Sequence, residues 1–153
     1  MKNDKPTWDE YFMELVHIIK KRSNCLRPHY GSLIVRDHRI VTTGYNGTPH
    51  GIKNCDEGGC DRCSRREKGE IQTHEYQESC ICVHSEQNAI IQAAYLGVST
   101  NGATMYSTIS PCSSCAKLII NAGIIEYVYD VAHHDIEGIN LLKTAGIEVR
   151  KAK

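Results

Sequence analysis

Two short segments constrain this chain more than anything else in it: His84-Ser85-Glu86 and, further on, Pro111-Cys112-Ser113-Ser114-Cys115. Together they carry one imidazole, one carboxylate and two thiols, the donor types of a metal centre. Each segment heads a stretch that reads as a helix, and a strand-like stretch precedes the second. A fold that uses the four groups together must therefore bring two helix N-termini to one point.

The remaining periodicity is compatible with such a fold. Thr7 and Glu10 predict a capping box with Pro6 just outside it, opening a helix over 7–22. Within that helix Trp8, Tyr11, Phe12, Leu15, Ile18, Ile19 and Arg22 recur at helical spacing as one buried stripe. Strands are expected at about 30–35 and 40–45, joined as a hairpin by Arg36-Asp37-His38-Arg39, with the loop Gly44-Tyr45-Asn46-Gly47-Thr48-Pro49 ending the second. Residues 48–82 show no clean period. A structureless stretch of that length needs a staple, and its cysteines suggest a metal. Helices then fit 85–96, 111–122 and 135–145, each followed by a glycine (Gly97, Gly123, Gly146), and strands fit 103–108, 126–130 and 147–150. From residue 103 the order is β-α-β-α-β, and helical crossovers make consecutive strands parallel. The expected fold is α/β: one domain over 1–153, a three-layer α-β-α arrangement with a mixed five-stranded sheet whose last three strands are parallel and adjacent, and a metal-stapled insertion at about 48–82.

Composition narrows the functional classes. Lys+Arg and Asp+Glu are 18 each, so net charge is zero, without the basic footprint of a nucleic-acid partner. No apolar run approaches the roughly 18 residues of a membrane span. Residues 1–6 lack the apolar core of a signal peptide, and the expected compartment is the cytoplasm. Eight cysteines in a reducing compartment, interleaved with histidines, favour metal over disulfides.

Cys112 and Cys115 share one helix face, and a helix N-terminus favours thiolate over thiol. With His84 they supply three zinc ligands and leave a fourth place for water. Glu86, two residues beyond His84, is off that face and suits a proton carrier over the metal, base first and acid afterwards. A purely structural zinc knot would need no such carboxylate, and thioredoxin-like redox chemistry would leave His84 and Glu86 idle. H-x-E followed by P-C-x-x-C is the known signature of zinc-dependent deaminases.

The resemblance extends beyond that signature. His84-Ser85-Glu86-Gln87-Asn88-Ala89-Ile90, Gly44-Tyr45-Asn46-Gly47-Thr48-Pro49 and Ser110-Pro111-Cys112-Ser113-Ser114-Cys115-Ala116-Lys117 resemble the deoxycytidylate (dCMP) deaminase family over about residues 7–150. The resemblance implies a cytidine-deaminase-like fold and hydrolysis of dCMP to dUMP and ammonia. It implies catalytic zinc on His84, Cys112 and Cys115, with Glu86 as proton shuttle. It places substrate contacts at Asn46 (sugar hydroxyl), Ser85, Ser110 and His133, and a phosphate contact in Arg27-Pro28-His29, with Arg27 the better donor. Many members are homohexamers controlled by dCTP and dTTP, with Mg2+ accompanying the nucleotide effector near Gly44, Tyr45 and Gly47. Three features depart from the family pattern: Ser85 stands for a usual Ala, His133 for a common Tyr, and 55–82 is unusually rich in cysteine. Some phage members carry a structural zinc, and the matching positions here are Cys25, Cys55 and His74, with Cys60, Cys63 or Cys80 as a fourth ligand; Cys60 and Cys63 with Cys80 or Cys82 are the alternative set. Rival functions are a cytidine, guanine or tRNA adenosine deaminase, or a non-catalytic zinc-binding module on the same fold.

Overall fold

The computed structural model describes residues 4–26 and 28–153. Helix α1 (Trp8–Ile19) opens on the expected capping box. Glu10 N–H donates to Thr7 Oγ1 at 3.2 Å, and Thr7 N–H donates to Glu10 Oε2 at 2.6 Å. The helix ends three residues earlier than expected, tightening into a 3-10 turn over Lys20–Arg22. Its buried side also differs from the expected stripe. Phe12, Met13 and Val16 face the sheet, whereas Trp8, Tyr11 and Ile18 are exposed. Trp8 instead stacks on His38 with ring centroids 4.2 Å apart. His38 and Asp37 form the hairpin turn with φ of 57° and 51°, the left-handed pair of a two-residue turn. That turn joins β1 (Gly31–Arg36) and β2 (Arg39–Tyr45).

Within the aperiodic segment the chain makes a helix that its period did not announce, α2 (Asp61–Glu67), capped by Cys60. Next come α3 (Ser85–Leu96), β3 (Thr104–Ile109), α4 (Ser113–Asn121), β4 (Glu126–Val131), α5 (Glu137–Thr144) and β5 (Glu148–Lys151). The sheet order is β2-β1-β3-β4-β5; β1 is antiparallel to both of its neighbours, and β3, β4 and β5 are parallel. Alternation along the strands divides the core. Leu33, Val35, Tyr106 and Val128 pack under α1, while Ile34, Met105 and Tyr127 meet Ala89, Ala116, Ile119 and Leu142 of α3, α4 and α5. The three layers and the mixed five-stranded sheet agree with the sequence reading. Among the described residues, no helix is long and apolar enough to cross a membrane.

One polar cluster fastens α1 to the far strands. Arg150 of β5 forks onto both oxygens of Asp9, reaching Oδ1 at 3.0 Å, and its Nε donates to Glu126 Oε1 at 2.7 Å. Tyr106 donates to Asp9 Oδ1 at 2.9 Å. The Arg150 bonds hold the Asp9 carboxyl below its ordinary value against the opposing effect of burial. A carboxyl depressed in the folded state adds stability above its unfolded pKa of about 3.9, and that stability is lost as pH falls through the folded value. We therefore predict that urea unfolding of Asp9→Asn falls less steeply below about pH 4 than that of the parent. Arg150→Ala should cost on the order of 1–3 kcal/mol at neutral pH.

Candidate active site

Two glycines set the helix starts. Gly44 of β2 lies so close to α3 that a Cβ there would overlap the Ser85 carbonyl and the Ala89 nitrogen. The first turns of α3 therefore rest directly on the strand, fixed also by Thr42 Oγ1 donating to the Ala89 carbonyl at 2.8 Å and Asn88 Nδ2 donating to the Tyr45 carbonyl at 2.7 Å. Gly138 of α5 does the same for the other segment, where a Cβ would overlap the Pro111 carbonyl. His84 caps α3 and Cys112 caps α4, whose Cys115 N–H donates to Cys112 Sγ at 3.5 Å.

The two caps converge. His84 Nδ1 is 3.3 Å from Cys115 Sγ and 3.6 Å from Cys112 Sγ, and the three donor atoms lie within 4.8 Å of one another. Zinc–nitrogen and zinc–sulfur bonds of about 2.0 and 2.3 Å at a tetrahedral angle give an N···S edge of about 3.5 Å. The three residues thus fit one zinc ion. The Cys112 thiol is lowered to about 4 by hydrogen bonds from Cys115 and His84. His84 is raised in turn, chiefly by its contact with Cys112. Glu86 is buried beside them, and burial raises its carboxyl above the usual range. Tyr127 Oη lies 3.1 Å from Glu86 Oε1 and 2.9 Å from the Ile109 carbonyl. Its single hydrogen serves the carboxylate in one protonation state and the carbonyl in the other, when Glu86 itself donates. Both states of Glu86 are therefore satisfied.

A cavity of about 170 Å³ opens over this centre, and its lining includes His84, Glu86, Cys112, Asn46, Ser110 and His133. Ser110 Oγ accepts the His133 N–H at 2.8 Å. Asn46 is committed to the loop before β1: its Oδ1 accepts from Tyr30 N and Ser23 Oγ, each at 2.7 Å, and its Nδ2 donates to the Pro28 carbonyl at 2.8 Å. Arg27 lies outside the described residues. Gly44 serves the packing of α3, Gly47 meets the Asn24 side chain, and Tyr45 is exposed. A second donor group adjoins the cavity: Cys55, Cys60, Cys63 and Cys82 have their sulfurs within 4.8 Å of one another, and Cys82 Sγ is 3.8 Å from Cys55 Sγ. That distance equals the roughly 3.8 Å edge of a zinc–thiolate tetrahedron. Of the set matched to phage positions, Cys55 is in this group, Cys25 only borders it, and His74 is exposed and outside it.

A family model described as the cytidine and deoxycytidylate deaminase zinc-binding region matches residues 6–131. The chain belongs to that family. The deoxycytidylate deaminase of Saccharomyces cerevisiae is 41% identical over 148 residues, which are 96% of this chain and 45% of the yeast protein. The chain thus spans less than half the length of that relative. Deoxycytidylate deaminase of Mycobacterium phage D29 is 37% identical over 82% of this chain and 95% of its own. The dCMP deaminase of cyanophage S-TIM5, solved in complex with dCMP and dUMP, superposes with a TM-score of 0.77 at 30% identity, covering 96% of this chain and 98% of that one.

Within this deaminase family the serine at 85 gains a role that its backbone alone would not give. Its hydroxyl is fully buried, 3.1 Å from Glu86 Oε2 and 2.8 Å from Ser32 Oγ, which in turn donates to Ser107 Oγ at 3.1 Å. The motif reading missed Ser32, Ser107 and Tyr127. Polar residues at inward positions of otherwise apolar strands were the available signal. We predict that Tyr127→Phe keeps its zinc and its KM but loses about tenfold in kcat, the equivalent of one buried hydrogen bond to a charged group, as read by steady-state deamination.

Proposed function

We propose that the protein is a zinc-dependent hydrolase that converts dCMP and water to dUMP and ammonia. The observation that carries this reading is the buried Glu86 carboxyl beside the His84, Cys112 and Cys115 donors at the base of the cavity. The relatives named deoxycytidylate deaminase support the choice of substrate. His84, Cys112 and Cys115 would hold a zinc ion, whose chemistry there would be to make water acidic enough (a pKa of about 7 in place of 15.7) to attack at neutral pH. Glu86 takes a proton from the attacking water and delivers it to the ring nitrogen next to the attacked carbon. It then takes the proton of the added hydroxyl and passes it to the exocyclic amine; the carbon–nitrogen bond breaks, ammonia leaves, and the ring carbon keeps the oxygen as a carbonyl. A carboxyl whose burial raises its pKa is suited to both transfers. Ser85 and Tyr127 hold one oxygen of that carboxyl each.

The same proposal includes a second, structural zinc on Cys55, Cys60, Cys63 and Cys82. Three of these thiols are buried and all four are protein donors, as a closed structural site requires. Control by dCTP and dTTP with Mg2+ and assembly as a homohexamer rest on the family resemblance alone, and a cytoplasmic location rests on the signal-free sequence of residues 1–6. The effector contacts of that loop are placed by the resemblance at Gly44, Tyr45 and Gly47, of which Tyr45 is exposed.

Ammonia release should be faster from dCMP than from cytidine or dCTP; a preference for cytidine would remove the monophosphate from the proposal. We predict that Glu86→Ala retains zinc and loses about 10²–10⁴-fold in kcat, and near-full activity would refute the shuttle. Metal analysis should give two zincs per chain and one in Cys60→Ser/Cys63→Ser. A parent value of one would eliminate the structural site.

A further inference from the structure

We propose that the ring of Tyr30 is the surface on which the pyrimidine of the substrate lies, an assignment that rests on the deaminase reading. The register of the sheet places it. Gly44, Ser32 and Ser107 stand in one row across β2, β1 and β3. That row lies under the first turn of α3: Gly44 abuts the Ser85 carbonyl, and Ser32 Oγ is 2.8 Å from Ser85 Oγ, itself 3.1 Å from Glu86 Oε2. Side chains alternate along a strand, so two residues further along each chain the same face carries Asn46, Tyr30 and Ile109. Helix α3 begins over the preceding row and leaves this one open, and all three residues line the cavity together with Glu86. The attacked carbon must lie against Glu86 and the three metal donors. The ring that contains that carbon is the first part of the substrate beyond Glu86, and this row is the first surface of the sheet that it meets.

Within the row the tasks differ. Asn46 spends its side-chain amide on Ser23, Tyr30 and Pro28. Ile109 offers an apolar side chain, and its carbonyl accepts from Tyr127 at 2.9 Å. Tyr30, between them, is half-buried and offers a flat face. Its backbone is held on both sides. The Tyr30 N–H donates to Asn46 Oδ1 at 2.7 Å and the Tyr30 carbonyl accepts from Asn46 N–H at 3.3 Å, while the next residue, Gly31, donates from its N–H to Thr108 Oγ1 at 3.2 Å. Among the described residues lining the cavity, the other aromatic rings are the imidazoles of His84 and His133. His84 belongs to the metal donors. His133 is held by its own loop, where its Nδ1 accepts from Asp135 N–H at 3.1 Å and its ring lies against that of His134 with centroids 4.0 Å apart. A planar base gains from an aromatic face beyond the area it buries, and a ring whose backbone is already fixed gives up little freedom in supplying one.

The test is calorimetric binding of dUMP and of its 5,6-dihydro form, whose ring is neither flat nor aromatic, to the zinc-loaded protein and to Tyr30→Phe and Tyr30→Leu. The parent should bind dUMP the more tightly, and Tyr30→Phe should keep that preference. Tyr30→Leu should weaken dUMP by about 2–10-fold, the range of an aromatic pair beyond its buried area, weaken the dihydro ligand less, and retain its zinc. Unchanged dUMP affinity in Tyr30→Leu, equal losses for both ligands, or a loss in Tyr30→Phe as large as in Tyr30→Leu overturns the assignment while leaving the deaminase reading intact. A parent without preference between the two ligands does the same, with no substitution needed. A parent that binds neither ligand overturns the pyrimidine-nucleotide reading itself, and this assignment with it.

Discussion

The molecule depends on the approach of two helix N-termini at the carboxyl end of β3. The metal-donor set exists only because α3 and α4 begin within 4 Å of each other, measured between His84 Nδ1 and the two sulfurs. Neither helix could begin there with a larger residue at Gly44 or Gly138, since each glycine abuts the backbone of one donor segment. Close backbone packing, more than any single hydrogen bond, thus creates the site. The N-terminal dipoles add a preference for thiolate at Cys112 and Cys115. The placement also follows the general rule that open α/β sheets bind ligands beyond the carboxyl ends of their parallel strands.

The two donor groups are mechanically joined. Cys82 and His84 lie two residues apart in one extended segment, tied to the Gly47 loop by paired hydrogen bonds between Gly47 and Val83. Residues two apart in extended chain point the same way, so both side chains reach the same cavity. The long segment before α3 therefore does more than close a loop. Its thiols anchor one end of the strand that presents His84 and also the start of α2.

How much of this was legible in the sequence depends on the kind of signal. The donor triad and Glu86 stood in a fixed-spacing pattern, and the parallel strands followed from alternation of helical and strand-like periods. Both are local patterns, and the fold agrees with them. The stripe on α1 was less reliable, because aromatic residues recur across more of the helix than the sheet covers; Trp8 found His38 at the hairpin instead. Helix α2 was invisible because its sides are set by thiol and guanidinium contacts rather than by apolar spacing. Ser32, Ser107 and the phenol of Tyr127 are brought together by strand register, which joins residues far apart in sequence, and Ser85 meets them from the first turn of α3. His74 looked like a ligand by correspondence with other proteins, yet Cys82 occupies the position facing Cys55.

The central claim is that His84, Cys112 and Cys115 make a three-ligand zinc centre with a position left open beside Glu86. Zinc K-edge X-ray absorption on Cys60→Ser/Cys63→Ser, which should hold only that ion, measures it most directly. Two sulfurs at about 2.3 Å and two nitrogen or oxygen neighbours at about 2.0–2.1 Å are expected. Four sulfurs, or none, would contradict it.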